Sequence, residues 1–523
     1  MIKKLFKLLS FQSRNLDKIN TSNIYHSVNN SEINHSNHSI EENISYKAVK
    51  GVFWMFASFL GSRLLSFISI IILARILVPS EFGQFGFALL VISYLQTVGD
   101  IGVGAALIYE QRHYRSATNI SFIVNLITGL LWFILAQAIA PFVGSFFKEP
   151  DVIPIFQVLS FIFLMNALGN TNDVLLRKEI AFKKRLIPDL SLGFIKAFIT
   201  VILAILGHGV WSLVWGHLIG TAASTLALWL VLPWRPRFEF PWKVAKQMLG
   251  YGWKIATVNV LAAIVHHLDY LIVGGILGSA AFGYYTLAYK IPELSIIVVI
   301  WGVGKVMFPT YSKLRKDVSS LQKIYLGTIR YISLLTIPSG LAIALLSSIV
   351  VYTLYGDRWA PSIPVLQALA IAATLRSLSS NNGDVYNATG RPDILVKLGL
   401  LRVALLVPAL IYGARFGIAG VAVAQLLITC ISTLLNFYII GKILSLPMKS
   451  ILSELTPAFI SSIIMLICLY FFIPVVSNIP DAVNLILSVS FGFIIYLLAI
   501  YLISPNTLRN ARITIFSSFK KAA

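Results

Sequence analysis

Hydrophobic residues in this chain fall into long unbroken runs, separated by short polar turns. From Gly51 onward about 14 runs reach the ~20 residues needed to cross the hydrocarbon of a bilayer. They lie near 52–77, 83–108, 118–143, 152–175, 187–206, 210–232, 247–277, 281–309, 322–350, 362–387, 393–413, 417–440, 451–474 and 483–503. A membrane β-barrel would show alternating segments of about ten residues instead. The pattern predicts an all-α polytopic membrane protein of about 14 transmembrane helices.

One stretch is written twice. Ile76 to Leu107 returns as Ile276 to Met307 without a gap, an offset of about 200 residues. Ile76, Leu77, Phe82, Gly83 and Ala88 meet Ile276, Leu277, Phe282, Gly283 and Ala288, and Gly102-Val103-Gly104 meets Gly302-Val303-Gly304. The echo continues through Pro154, Gln157 and Leu159 with Pro364, Gln367 and Leu369, Asp173-Val174 with Asp384-Val385, and Gly209-Val210 with Gly417-Ile418. Six helices therefore match six more, which predicts two lobes related by a pseudo-twofold axis along the membrane normal, an arrangement found chiefly in transporters. The expected divisions are a basic, polar tail at 1–50, a first lobe at 51–246, a second lobe at 247–446, two extra helices within 447–504, and a second tail at 505–523.

Charge orients the bundle. The net charge is +21, yet only 12% of the residues are charged and 57% are hydrophobic. On a soluble protein such a charge would suggest nucleic acid; here no soluble recognition fold has room, so no nucleic-acid partner is expected. The basic residues gather in alternate loops: Arg112 and Arg115; Arg177, Lys178, Lys183, Lys184 and Arg185; Arg235, Arg237, Lys243 and Lys246; Lys313, Arg315, Lys316 and Lys323; Arg391; Lys442 and Lys449. The remaining loops hold little beyond Arg75, Lys148, Arg358 and Arg415. The positive-inside rule makes the first set cytoplasmic, with both termini inside. Met1 to Arg14 is basic and amphipathic with no small-residue cleavage site, so it reads as a membrane-surface segment rather than a signal peptide. Asn15 to Tyr46, rich in Asn, Ser and His, reads as a disordered tail. The two cysteines, Cys430 and Cys468, sit inside apolar runs and read as packing residues.

Ionisable groups at membrane depth are costly and mark function by default. In the first run Ser58, Ser62, Ser66 and Ser69 share one helix face, with Arg63 near mid-depth. Either the serines let helices approach closely, or Arg63 faces an aqueous cavity, the reading favoured here. In the seventh run Asn259, His266 and Tyr270 share a face, beside His267 and Asp269. A histidine next to Asp269 could hold a proton that moves near neutral pH, or the group could simply tie helices together. Lys196, Lys290, Glu293, Arg376 and Arg402 are further mid-depth candidates, and Lys290 can pair with Glu293 three residues on. The set is mostly cationic, and a cationic chamber of low dielectric attracts a phosphate or diphosphate, for which Arg is well shaped. Asp100 and Lys305 lie nearer the basic loops as gate candidates; Asp173 and Asp384 read as span-end caps. There is no Walker-type phosphate loop and no clustered zinc set, so neither cofactor nor metal is expected and the protein is not expected to be an enzyme. Proton or sodium coupling stays open, with His266, His267, Asp269 and Glu293 as its candidates.

The run Ile72-Leu73-Ala74-Arg75-Ile76-Leu77-Val78-Pro79-Ser80-Glu81-Phe82-Gly83 resembles a stretch of the Wzx-type polysaccharide flippases of the MOP superfamily. Further likeness lies in Leu175-Leu176-Arg177-Lys178 with Phe182-Lys183, Gly209-Val210-Trp211-Ser212-Leu213-Val214, Tyr355-Gly356-Asp357-Arg358-Trp359, and Asn387-Ala388-Thr389-Gly390-Arg391-Pro392. The likeness covers about 50–445 and is greatest to the colanic-acid-exporter type. It implies a V-shaped pair of six-helix lobes that move undecaprenyl-diphosphate-linked oligosaccharides across the bacterial inner membrane by alternating access. It also implies work beside a glycan polymerase and a chain-length regulator. The lipid II branch carries Ser-Arg-x-x-Gly-x-x-Arg-Asp in its first helix; here Ser62 and Arg63 fit, while Ser66, Ser69 and Ile70 replace the Gly, Arg and Asp. A multidrug antiporter of the MATE type is the rival transporter, and it would favour carboxylates where this first run has Arg63. A membrane-bound polymerase or ligase would require a large outside loop, which the spacing of the runs does not leave.

Overall fold

A computed structural model of the protein describes residues 61–110, 113–179, 181–266 and 268–505. Among the described residues the regular elements are all helical. Twelve helical stretches among them are long and apolar enough to cross a membrane. The expected first span falls partly outside the described residues, and its described part is helix α1 (61–76).

The first hairpin turns at Val78, whose extended backbone (φ −90°, ψ 158°) separates α1 from α2 (Pro79–Gly99). Pro79 fits there because a first-turn proline gives up an N–H that has no helical partner anyway. Glu81 reaches back to accept the Val78 N–H at 2.9 Å. Gly102 then adopts a left-handed conformation (φ 71°) and starts α3 (Val103–Tyr109). Next come α4 (Tyr114–Phe147), α5 (Val152–Leu159), α6 (Phe161–Lys178), α7 (Phe182–Ile205) and α8 (Val210–Val231). α4 stops where Lys148 turns left-handed (φ 56°) and Glu149 N–H bonds the Gly144 carbonyl at 3.0 Å, a terminus that satisfies otherwise orphaned carbonyls.

The second copy differs in detail. The run expected at 247–277 covers most of α9 (Trp242–His266) and the start of α10 (Leu268–Pro292), with residue 267 between them outside the described residues. α10 breaks at Gly278 (φ 85°, ψ −179°), the counterpart of Val78. The run expected at 281–309 covers the rest of α10, a π turn at Glu293–Ile297, and much of α11 (Val298–Leu314). Then follow α12 (Val318–Leu345), α13 (Ser347–Leu354), a 3-10 turn at Asp357–Ser362, α14 (Ile363–Ser380), α15 (Asn382–Ala388), α16 (Asp393–Ala414), α17 (Gly417–Ile443), α18 (Met448–Val475) and α19 (Asp481–Ile503). Two of these pieces, α14 and α15, fill the single run expected at 362–387, because an apolar run signals length and not where the helix kinks.

The two written-out copies pack on each other. α2 lies along α10, and the contact is reciprocal under the repeat offset. A Cβ on Gly83 would lie 1.9 Å from the Ser279 carbonyl oxygen, and one on Gly283 would lie 2.0 Å from the Pro79 carbonyl oxygen. In lipid the hydrophobic effect does not drive helices together, so backbone approach through small residues carries much of the packing. Phe87 and Phe282, 4.8 Å apart between ring centroids, continue the seam, and Phe87 stacks on Phe147 at 4.1 Å. At the ends carrying the basic loops α3 meets α9: a Cβ on Gly102 would lie 2.2 Å from the Gly252 carbonyl oxygen, and Tyr109 stacks on Tyr251 at 4.7 Å.

At the opposite ends Arg75 closes the C-terminus of α13, donating to the carbonyls of Tyr352 (3.0 Å), Leu354 (3.3 Å) and Thr353. A guanidinium there satisfies carbonyls that the helix leaves unbonded and complements its dipole. The buried Trp359 donates Nε1–H to the Ala74 carbonyl at 2.8 Å and meets Phe82 and Tyr284 edge-on. The last pair, α18 and α19, lies beside α12 and α13, where Arg330 pairs with Glu454 and Tyr496 donates to the Leu334 carbonyl at 2.8 Å.

Candidate functional site

A cavity of about 1260 Å³ opens among α1, α2, α4, α6, α7 and α8, with α10 closing one side. That exceeds the usual range of small-molecule pockets. Each helix contributes a stripe at helical spacing: Ser62, Ser66 and Ser69 from α1; Asn125, Thr128 and Trp132 from α4; Asn166, Asn170 and Asp173 from α6; Asp189, Gly193 and Lys196 from α7; His217, Thr221 and Ser224 from α8. α10 supplies Tyr270, Phe282, Thr286 and Lys290.

Three of the five expected cations, Arg63, Lys196 and Lys290, line this cavity. Glu293 joins two of them. Its Oε1 accepts from Arg63 at 2.7 Å and its Oε2 from Lys290 at 3.0 Å. The expected pairing of Lys290 with Glu293 is therefore present, and the same carboxylate also ties α1 to the second half of the chain. Lys196 sits 2.7 Å from Nδ1 of His217, which as a neutral imidazole can accept from the ammonium.

Arg376 and Arg402 lie off the cavity wall, which corrects the expectation of one chamber holding all five cations. Arg376, on α14, donates to the Tyr289 hydroxyl at 2.8 Å. Asp269 is buried close by in space on α10, accepting from the Tyr285 hydroxyl and the Tyr270 N–H, each at 3.0 Å. Tyrosine hydroxyls and a carboxylate thus give these charges polar neighbours inside the second half. Among the described residues, the Nε atoms of Arg376 and Arg402 are buried with no hydrogen-bond partner.

Asp100 lines the cavity and accepts the Gly102 N–H at 3.0 Å, which fixes the turn into α3. Ser58 and His267 lie outside the described residues, as do the side chains of Asn259, His266 and Lys305.

Sequence reasoning left several wall residues unassigned. Asp173, read as a span-end cap, faces the cavity and binds Arg177 and, at 2.7 Å, Arg185. Asn125 and Asn170 form an amide pair at 3.4 Å, with Asn125 also donating to Thr171 at 3.1 Å. The signal was available: Asn166, Asn170 and Asp173 stand at steps of four and three, the spacing of one helix face. The wall is also less uniformly cationic than expected, since Asp100, Asp173 and Asp189 stand against Arg63, Arg185, Lys196 and Lys290.

The model of a family described as "polysaccharide biosynthesis protein" matches residues 72–364. This chain belongs to that family. Similar proteins carry consistent names. The lipopolysaccharide biosynthesis protein WzxC of Escherichia coli (strain K12) is 24% identical over 76% of this chain and 81% of its own length. The succinoglycan biosynthesis transport protein ExoT of Rhizobium meliloti (strain 1021) is 25% identical over 88% of this chain and 94% of its own. The resemblance to Wzx-type flippases read from the sequence is borne out by these matches. Among solved structures, the lipid II flippase MurJ in an inward closed conformation aligns at a TM-score of 0.70 with 16% identity, covering 87% of this chain and 99% of that one. An inward-facing MATE-family multidrug transporter of the MOP superfamily aligns at 0.60, covering 73% and 94%. The family thus shares this fold with proteins of different cargo, and the cargo must be argued from the cavity.

Proposed function

We propose that this protein is a flippase for an undecaprenyl-diphosphate-linked oligosaccharide, taking it from the inner to the outer leaflet of the bacterial inner membrane as a step in making a surface polysaccharide. The observation that carries this reading is the cavity holding Arg63, Lys196 and Lys290 on one wall system. Those cations suit the diphosphate, while the amides, hydroxyls and Trp132 offer hydrogen bonds and an apolar face to sugars. The polyprenyl tail stays in lipid. The reciprocal seam of α2 and α10 supports two lobes, 51–246 and 247–446, that rock about the bound head group. Asp269, Glu293 and the histidines of the 266–267 pair are the candidates for proton or sodium coupling, and Asp100 and Lys305 the candidates for the inner gate. A polymerase and a chain-length regulator are the expected partners, with both termini cytoplasmic.

The test is export. Arg63→Ala should abolish surface glycan while the protein remains in the membrane at its normal level, and lipid-linked intermediate should accumulate on the inner leaflet. Normal surface glycan in that strain would reject the role given to Arg63. The carboxylates Asp100, Asp173 and Asp189 on the wall favour one second reading, a cation-coupled drug antiporter. Under that reading a deletion strain gains drug susceptibility and keeps its surface glycan.

A further inference from the structure

We propose that Glu293 is an internal counter-ion that holds the place of the cargo's phosphate on Arg63 and Lys290, and that its displacement is coupled to the π turn that Glu293 begins. This rests on the flippase reading above and adds to it how the empty site is kept and how filling it is felt by the fold.

Three observations converge. The two carboxylate oxygens of Glu293 are divided between two cations of the cavity wall, Oε1 to Arg63 and Oε2 to Lys290, at 2.7 and 3.0 Å. A phosphate presents the same feature, several acceptor oxygens on one centre, and carries more charge, so it competes on favourable terms for an Arg fork. The Arg63 side chain is 46% exposed against 25% for Glu293, so an anion arriving through the cavity reaches the guanidinium beside the carboxylate. The third observation is local backbone. Glu293 opens the π turn at Glu293–Ile297, directly after Pro292 and between α10 and α11. A π turn is an α-helix with one residue too many, is rare, and is found mostly at functional sites. Absorbing that residue turns one helix segment against the next by about 100°, the rotation per residue of an α-helix. A carboxylate released from two cations at membrane depth is costly where it stands. Rotating it away by relaxing the π turn lowers that cost, and it also moves α11 relative to α10. Binding of an anion on α1 would thereby alter the second half of the chain through the ionic tie that crosses between them.

The experiment uses the full chain in detergent, with inorganic pyrophosphate as probe and calorimetry as readout. Glu293→Gln, which removes the charge and keeps the shape, should tighten pyrophosphate binding by about tenfold. Arg63→Ala and Lys290→Ala should weaken it in both backgrounds. Hydrogen exchange over residues 288–300 should rise when pyrophosphate is added to the wild type, and should already be raised in Glu293→Gln without it. Affinity that depends on Arg63 but is unchanged or weakened by Glu293→Gln, with lowered thermal stability, makes Glu293 a structural bridge only and overturns the counter-ion proposal while leaving the flippase reading intact. Affinity indifferent to Arg63→Ala removes the anion site itself and with it the reading beneath. Should Glu293→Gln fail to fold, Glu293→Asp, with the charge kept and the reach shortened, is held to the same test: tighter binding supports the proposal, unchanged binding overturns it.

Discussion

Arg75 and Trp359 belong to two separate stretches that carry the family likeness, and the structure shows why they occur together. Arg75 bonds the carbonyls that end α13, and Trp359 bonds the carbonyl of Ala74. The two stretches are the two sides of one contact. Trp359→Phe keeps most of the apolar bulk but leaves the Ala74 carbonyl without its donor in a buried place. A loss of about 1–3 kcal/mol is expected, the cost of an orphaned buried acceptor. Thermal unfolding in detergent measures it, and an unchanged midpoint would show that the bond contributes nothing. Asp317 makes a separable, solvent-side prediction. It caps α12 by accepting the Ser320 N–H at 3.1 Å and the Ser319 hydroxyl at 2.8 Å. Hydrogen bonds to the charged form, from the Ser320 hydroxyl first and then from the Ser320 N–H and the Ser319 hydroxyl, hold its pKa at about 2, below the ordinary 3.8. A group depressed on folding contributes its stability above the unfolded value and loses it as pH falls through the folded one. The cap should therefore be intact near neutrality and fade between about pH 4 and about pH 2. Amide exchange at the first turn of α12 follows this directly, and Asp317→Ala should show the faded state at every pH.

At the scale of elements the informative feature is the glycine seam between α2 and α10. Gly83 and Gly283 stand at the same position of the two copies, and each abuts the backbone of the other copy. Added side chains would need the helices to part, so Gly83→Ala and Gly283→Ala should each destabilise by about 1–3 kcal/mol, the usual range for overpacking. The two effects should be similar, because the contacts are reciprocal. A large effect at one and none at the other, measured by unfolding in detergent and by export, would show that the seam is not symmetric in energy. The same scale explains a limit of reading runs. Periodicity located the apolar stretch 362–387 but neither its division into α14 and α15 nor the 3-10 turn that leads into it, since the deciding factors are local: Gly356 at φ 94° before the turn and Asn381 between the helices.

For the whole molecule the proposed cycle needs the contact of α3 with α9 to open and close. Tyr109 and Tyr251 stack there, both on the side of the basic loops. With Cys430 and Cys468 replaced by Ser, a Tyr109→Cys, Tyr251→Cys pair joined by a short bifunctional thiol reagent should stop export. A reagent with a reducible linker should allow recovery when it is cut. Continued export by a fully cross-linked population would exclude rocking about this contact.

Much of the architecture lay in the order of residues. The length of the apolar runs follows from the thickness of a bilayer, and the repeat follows from matching residues that recur in the same order about 200 positions on. Arg63, Lys196 and Lys290 were legible as candidates because a charge inside an apolar run is too costly to be there without a partner or a cavity. What the order of residues left open was which of these charges meet. Arg63 and Glu293 are 230 positions apart, and no local rule pairs them. Arg376 and Arg402 were candidates beside Arg63, yet neither lines the cavity and Arg376 bonds Tyr289 instead, while Asp173, set aside as a cap, faces into it. The reason is geometric: a helix face is written in the sequence, but the direction that face points depends on the packing of every other helix, and only the folded chain holds that information.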